Sequence, residues 1–363
     1  MRFPEFSGEW KKCTLGEIGK GFDYGMNAAA KPFDGQHKYI RITDIDESSA
    51  AYIDKDVVSP DGELQDSYLV KANDILLART GASTGKSYLY DNKDGILYFA
   101  GFLIRVNIPS DNAYFVFSQL HLSRYRKWIG IMSARSGQPG VNSQEYSNYP
   151  IYLPKIEEQT KIAKLLKLVD ERIATQNKII EKLQSLIKGL IVALTTKGKP
   201  NIAISQCLEC HSSTLQESEV LPNGLYKVFG ANGLIGYTNM AQMNGDAILI
   251  IKDGSGVGTV SYAQGRFSVI GTLNYLTSKG NHDLRYLYFA LSAFNFQLYK
   301  TGMAIPHIYF KDYGNAKIYC PVLAEQKRVA NVLGKLESKL FAEKKLRASF
   351  NLQKQYLLEQ MFI

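Results

Sequence analysis

The chain has 363 residues, enough for two or three domains of ordinary size, and 45% of them are apolar, so each half can bury a core of its own. No apolar run approaches the roughly 18 residues that a membrane helix needs, and the start, Met1-Arg-Phe-Pro-Glu-Phe-Ser-Gly8, lacks the apolar region of a secretory signal, which points to a cytoplasmic protein. The formal net charge of +9 invites a polyanionic partner, yet residues 1–150 hold 17 basic and 18 acidic groups and residues 201–317 hold 8 and 7, so the surplus lies in 151–200 and 318–363.

In chain order, residues 68–106 alternate short strand-like runs, Asp74-Ile-Leu-Leu-Ala78, Ser87-Tyr-Leu-Tyr90 and Phe102-Leu-Ile-Arg-Val106, with glycine turns. The turn Gly81-Ala-Ser-Thr-Gly85-Lys86-Ser87 resembles a phosphate loop but has three residues between its glycines where four are needed. A hairpin turn that needs positive φ at glycine accounts for the glycines. A functional version places backbone amides, Arg79, Thr80 and Lys86 near a DNA phosphate or base edge. Residues 113–132 predict an aromatic-rich helix. It carries Arg124, Arg126 and Lys127, and with Arg135 they form a basic stretch without an acid between Asp111 and Glu145, a DNA-facing candidate. The loop Arg135-Ser-Gly-Gln138-Pro139-Gly-Val-Asn142 follows. Arg pairs with guanine, and Gln or Asn with adenine, in the major groove; a loop that merely orients the domain is the alternative.

From Ile162 a 4-3 spacing runs through Leu166, Val169, Ile173, Gln176, Ile180, Leu183, Ile187, Leu190 and Leu194, and only Gln176 breaks the apolar seam of this predicted coiled coil. Beyond it, Cys207-Leu-Glu-Cys210-His211 has the haem-attachment pattern, which belongs to exported proteins. Reduced cytoplasmic cysteines are the default reading. Gly254-Ser-Gly-Val-Gly258 mirrors the first glycine turn and sits beside Lys252, residues 284–300 mirror the aromatic helix, and Gly302-Met-Ala-Ile-Pro306-His307-Ile-Tyr309 mirrors the loop, with Lys311 just after it. The last segment repeats the seam as Val329, Leu333, Leu336, Leu340, Glu343, Arg347, Phe350, Lys354, Leu357 and Met361, interrupted in its middle.

The mirroring has a fixed offset. Ile151-Tyr-Leu-Pro154 with Glu158-Gln159 and Ile162-Ala163 recurs 167 positions later as Ile318-Tyr-Cys-Pro321 with Glu325-Gln326 and Val329-Ala330, and Pro139 and Tyr146 match Pro306 and Tyr313 at the same offset. A repeat of this length is a duplicated domain plus helix. The predicted fold is therefore α+β. Two mixed domains, 1–150 and 201–317, are separated by long helices, 151–200 and 318–363, that pair antiparallel about a pseudo-twofold axis. Forty residues of helix rise about 60 Å, a scale on which two DNA half-sites can be held one or more helical turns apart. A coiled-coil scaffold that reads no DNA is the alternative. No nucleophile, base and orienter travel together: Pro60-Asp61 with Asp91-Asn-Lys93 only imitates a metal-dependent nuclease.

On these residues the chain resembles the specificity subunits of type I restriction-modification systems. The resemblance rests on Trp10-Lys-Lys-Cys-Thr-Leu15-Gly-Glu-Ile18, Arg79-Thr80-Gly81, the twofold Pro-x-x-x-Glu-Gln signature and the half-to-half repeat. It implies two target recognition domains that each read half of a split double-stranded DNA sequence; Lys252, His307, Tyr309 and Lys311 are the DNA-facing candidates that the residues themselves offer in the second domain. It also implies a chain that is not itself a catalyst. Two modification subunits that use S-adenosylmethionine would dock on it, and restriction subunits that use ATP and Mg2+ would join them, with the helix seam holding the assembly together.

Overall fold

The computed structural model describes residues 2–134 and 139–362. The chain divides into two units, Met1–Thr175 with Arg347–Ile363, and Gln176–Leu346, so each long helix contributes to both.

In the first unit the run Asp74–Ala78 is buried at all five positions and becomes the inner strand of a sheet, as a short continuous apolar run should. The spatial order is Lys20–Tyr24, Leu103–Asn107, Asp74–Ala78, Ser87–Leu89, all neighbours antiparallel. The second unit builds the same order from Leu208–Ser212, Leu273–Ser278, Ala247–Ile251 and Val260–Ala263. Each unit adds one parallel strand pair, His37–Ile40 with Ile96–Phe99 in the first and Tyr226–Gly230 with Arg266–Val269 in the second. The units differ around that pair. The first carries a separate antiparallel pair, Ala29–Pro32 with Val58–Asp61, and the second a hairpin partner, Gly233–Thr238.

The start of the second domain, which in sequence has little in common with the first, has the same element order. Lys11–Thr14 pairs with Pro150–Leu153 and runs into the short helix Leu15–Ile18; Ile202–Ala203 pairs with Lys317–Ile318 and runs into Ile204–Cys207. Leu15 and Ile204 are fully buried at the same step, so apolar size at one position is what the fold requires there.

The helix predicted over 113–132 is two helices, Ala113–Gln119 and Ser123–Ser133. Leu120 is buried among Val116, Phe117 and Tyr125, whereas Leu122 is buried with Phe115, Ile162 and Leu166. Residues two apart on a helix point to opposite faces. The break lets the chain turn between two cores, and the amide of Ser123 is taken up by the Glu359 carboxylate at 3.2 Å. The second unit has Leu284–Ser292 and then a 3-10 turn, Phe296–Tyr299.

The long helices span Ile156–Thr195 and Leu323–Met361. In the first unit Ile162, Ala163 and Leu166 pack with Leu358, Met361 and Phe362, so the start of one helix meets the end of the other. In the second unit Leu190, Ile191 and Leu194 pack against Val329, Ala330 and Leu333, which is the reciprocal antiparallel contact. Val169, Ile173, Ile180 and Ile187 are buried, and Leu183, Leu336 and Leu340 are half-buried. Two of the polar breaks in the seams find partners across the helix pair. Gln176, 5% exposed, donates through Nε2 to the Glu343 carbonyl at 3.2 Å and to its carboxylate, and Lys354 pairs with Asp170 at 2.7 Å. The predicted seam thus closes between the two long helices of this chain. The exposed apolar residues of the long helices are a different set, including Leu168, Leu186, Phe341 and Tyr356.

Candidate nucleic-acid interface

Each inner strand ends in a cation and a glycine turn, and the backbone that follows is fixed by one set of hydrogen bonds built twice. In the first unit the Arg79 amide donates to Phe102 O at 3.0 Å, the Val141 amide to Arg79 O at 2.9 Å, and the Gly81 amide to Pro139 O at 3.0 Å; Thr80 bridges Gly140. In the second unit the Lys252 amide donates to Thr272 O at 2.9 Å, the Ile308 amide to Lys252 O at 3.0 Å, and the Gly254 amide to Pro306 O at 2.9 Å; Asp253 bridges His307. The turns are closed alike, by Gly85 donating to Ala78 O and Gly258 donating to Ile251 O. Both glycines have positive φ, +89° and +85°, and sit against a helix or turn: a Cβ at Gly85 would lie 2.9 Å from Ile129, and one at Gly258 2.7 Å from Phe296. A hairpin packed this tightly is a structural turn. Its edge presents residues 79, 80, 140 and 142 in one unit and 252, 253, 307 and 309 in the other.

The side chains at those matched places differ. Arg79 lies 4.7 Å over the ring of Tyr24, which is 41% exposed. The Tyr24 hydroxyl donates to Ser143 Oγ at 3.3 Å and accepts from the Ser143 amide at 3.3 Å, and the bond to the Ser143 side chain holds it below the usual tyrosine range. Thr80 and Lys86 are half-buried beside it, and Arg126 and Lys127 are exposed on their helix. Across the second frame His307 is 5.1 Å from the Tyr309 ring, Lys311 lies 5.4 Å over that ring, and Lys252 Nζ is 4.0 Å from Asp253.

Two residues expected at the DNA face have other work. Arg124 turns inward, with its guanidinium 4.7 Å over Tyr152 and donating to Gln119 Oε1 at 2.9 Å. Asn142 caps the helix Ser143–Ser147: its side-chain oxygen accepts the Glu145 amide at 2.9 Å, while Glu145 accepts the Asn142 amide. A bidentate contact to adenine needs that same oxygen. Arg135 and Gln138 lie outside the described residues. Tyr24, Ser143 and the 58% exposed Phe102 are additions that sequence spacing does not reveal, because only the antiparallel pairing of distant strands and loops brings them to Arg79.

The Pro-x-x-x-Glu-Gln signature has a structural role. Gln159 and Gln326, 1% and 2% exposed, each accept the amide that caps the aromatic helix, Asn112 at 3.0 Å and Asp283 at 2.9 Å, and each donates back to its own proline carbonyl, Pro154 at 3.0 Å and Pro321 at 2.7 Å. Glu158 is held by Arg2 at 2.7 Å, and Glu325 pairs with Lys197. The motif rivets each domain to its long helix.

The cysteine motif is structural too. Cys207 is fully buried and points its thiol at Ile204 O, 3.3 Å away; burial pushes that thiol up to about 12 and the Cys210 thiol up to about 11. His211 stacks on Tyr275. Among the described residues no group of three or more His, Cys, Asp or Glu is placed to hold a metal ion, and no helix is long and apolar enough to cross a membrane. The acids of the nuclease-like pattern are taken up locally, Asp61 by Lys31 at 3.9 Å and Asp91 by Lys93 at 2.9 Å.

A protein with one recognition frame built twice, each riveted to a long helix, is the class this fold defines. The family model of the type I restriction modification DNA specificity domain matches residues 7–185 and 208–349, and the chain belongs to that family. It is 29% identical over 205 residues to the type I restriction enzyme MjaVIII specificity subunit of Methanocaldococcus jannaschii; the matched stretch covers 54% of this chain and 44% of that one. In fold it is similar to the type I restriction-modification S subunit from M. genitalium, with a TM-score of 0.69, 18% identity and coverage of 100% of this chain and 99% of that chain. It is also similar, with a TM-score of 0.55, 15% identity and coverage of 98% and 97%, to a chain whose structure concerns complex assembly and conformational transition of the type I restriction-modification system.

Proposed function

We propose that this chain is the non-catalytic DNA-reading subunit of a type I system. Each domain reads one half of a bipartite double-stranded target, and the paired helices set the gap between the halves. Two modification subunits that use S-adenosylmethionine, and restriction subunits that use ATP and Mg2+, assemble on it in the cytoplasm. The observation that carries this reading is the doubled frame, in which the backbone bonds named above recur while side chains at matched places diverge: Arg79 against Lys252 and Thr80 against Asp253. A scaffold has no reason to keep the frame and vary its outward residues. A pair of readers for two different half-sites has that reason.

The near-neutral charge of each domain fits a reader whose affinity is shared with partners surrounding the DNA. The test is to map N6-methyladenine across the genome of the source strain with the gene intact and deleted. Loss of methylation in both halves of one split motif supports the reading. An unchanged map in a strain whose modification subunit is active would turn the reading towards a scaffold without DNA contact.

A further inference from the structure

We propose that Asp253 is a specificity-determining residue of the second domain. Its carboxylate accepts a hydrogen bond from the exocyclic amino group of a cytosine or adenine in that domain's half-site, an inference that rests on the function proposed above. Asp253 holds the same place as Thr80. Each follows the cation at the end of the inner strand, precedes a glycine whose amide is bonded to a proline carbonyl, and bridges the residue after that proline. The fold tolerates a threonine in one frame and an aspartate in the other, so the side chain is not selected by packing.

An acid is the unexpected choice there. The frame around it carries cations, Lys252 beside it and Lys311 two residues past the exposed Tyr309. Such groups suit phosphate contacts, and a carboxylate among them is repelled by the same phosphates. Among the described residues it has one charged neighbour, Lys252 Nζ at 4.0 Å, and accepts no hydrogen bond. What a lone acceptor can meet in the major groove is an amino hydrogen, N4 of cytosine or N6 of adenine; the guanine and thymine edges there offer it no donor. Thr80 both donates and accepts, so the first domain is not confined to an amino group at the matched position.

The test uses the full chain with its modification subunits. The methylated motif is mapped for the wild type and for Asp253→Asn and Asp253→Thr. A change confined to one base pair of one half, with the other half intact, is expected; a motif unchanged in both halves for both variants overturns the proposal. In parallel, purified complexes are bound to target duplexes in which each half-site cytosine is replaced in turn by 2-pyrimidinone, or each adenine by purine, which removes single amino groups. One replacement should weaken wild-type binding on the order of tenfold and leave Asp253→Ala indifferent, and the base replaced identifies the partner. A wild type that prefers its target but is indifferent to every second-half replacement refutes the role of Asp253. A wild type with no sequence preference on unmodified duplexes removes the DNA-reading function itself.

Discussion

Gln159 and Gln326 show how much one buried side chain fixes. Each, itself almost fully buried, closes two backbone groups, the amide of an N-cap residue and a proline carbonyl. Gln326→Ala should therefore cost about 1–3 kcal/mol, the penalty of leaving such groups unpaired, measured by urea unfolding of the full chain. Gln326→Glu keeps the acceptor for Asp283 but sets a buried carboxylate against the Pro321 carbonyl, so it should cost at least as much as alanine. An alanine variant as stable as the wild type would mean that the rivet is dispensable. Arg79 is a residue of the opposite kind. Its stacking on exposed Tyr24 is worth about 0.5–1 kcal/mol, so Arg79→Ala should barely move the melting temperature while relaxing the first half of the methylated motif. A large loss of stability with an unchanged motif would make it a packing residue.

At the scale of elements, much was legible in the sequence because period and burial coincide. Strands were expected around 74–78, 87–90 and 102–106, and the structure has them at Asp74–Ala78, Ser87–Leu89 and Leu103–Asn107, since apolar runs between glycine turns leave few other solutions. The helix seam was legible for the same reason. The aromatic helix was not. Leu120 and Leu122 read as one amphipathic stretch until it is known that they serve two cores. The interface was legible only in its cations and glycines. Tyr24 owes its position to strand pairing, which leaves no mark in linear spacing, whereas Asp253 stands before Gly254 as Thr80 stands before Gly81 and needed only the repeat to be followed one residue further; the cap made by Asn142 is as local a use of that residue as its reading as a base contact is distant. The seam breaks give the element-scale prediction. Glu343→Leu removes the carboxylate and leaves the buried Gln176 amide only the backbone carbonyl of residue 343, so it should destabilise by about 1 kcal/mol. Gln176→Leu should cost less, because Glu343 is half-exposed. The double variant should recover most of the loss, since two apolar residues restore the seam. Thermal unfolding of the four proteins decides it, and strictly additive losses would show that the two side chains act independently.

For the whole molecule, the doubled frame predicts modularity. Replacing residues 1–150 by the corresponding domain of a relative should change one half of the methylated motif, leaving the other half and the gap as they were. Genome-wide methylation mapping of the chimaera reads all three at once; a change in both halves would mean that the domains do not read independently.

The pair at the middle of the long helices carries a different consequence. Gln176 and Glu343 are 167 positions apart, the offset of the repeat itself, so each faces its own counterpart. Had the chain descended from a half-length ancestor that self-associated, one and the same residue would have met itself there across the dyad. A glutamine tolerates its twin, since an amide both gives and takes a hydrogen bond, whereas two glutamates in an apolar seam repel. Once the later copy carried the acid, its best companion became the earlier copy on the same polypeptide. Within one polypeptide the acid meets an amide and not its own twin, so the pair at this place is complementary because the two copies differ.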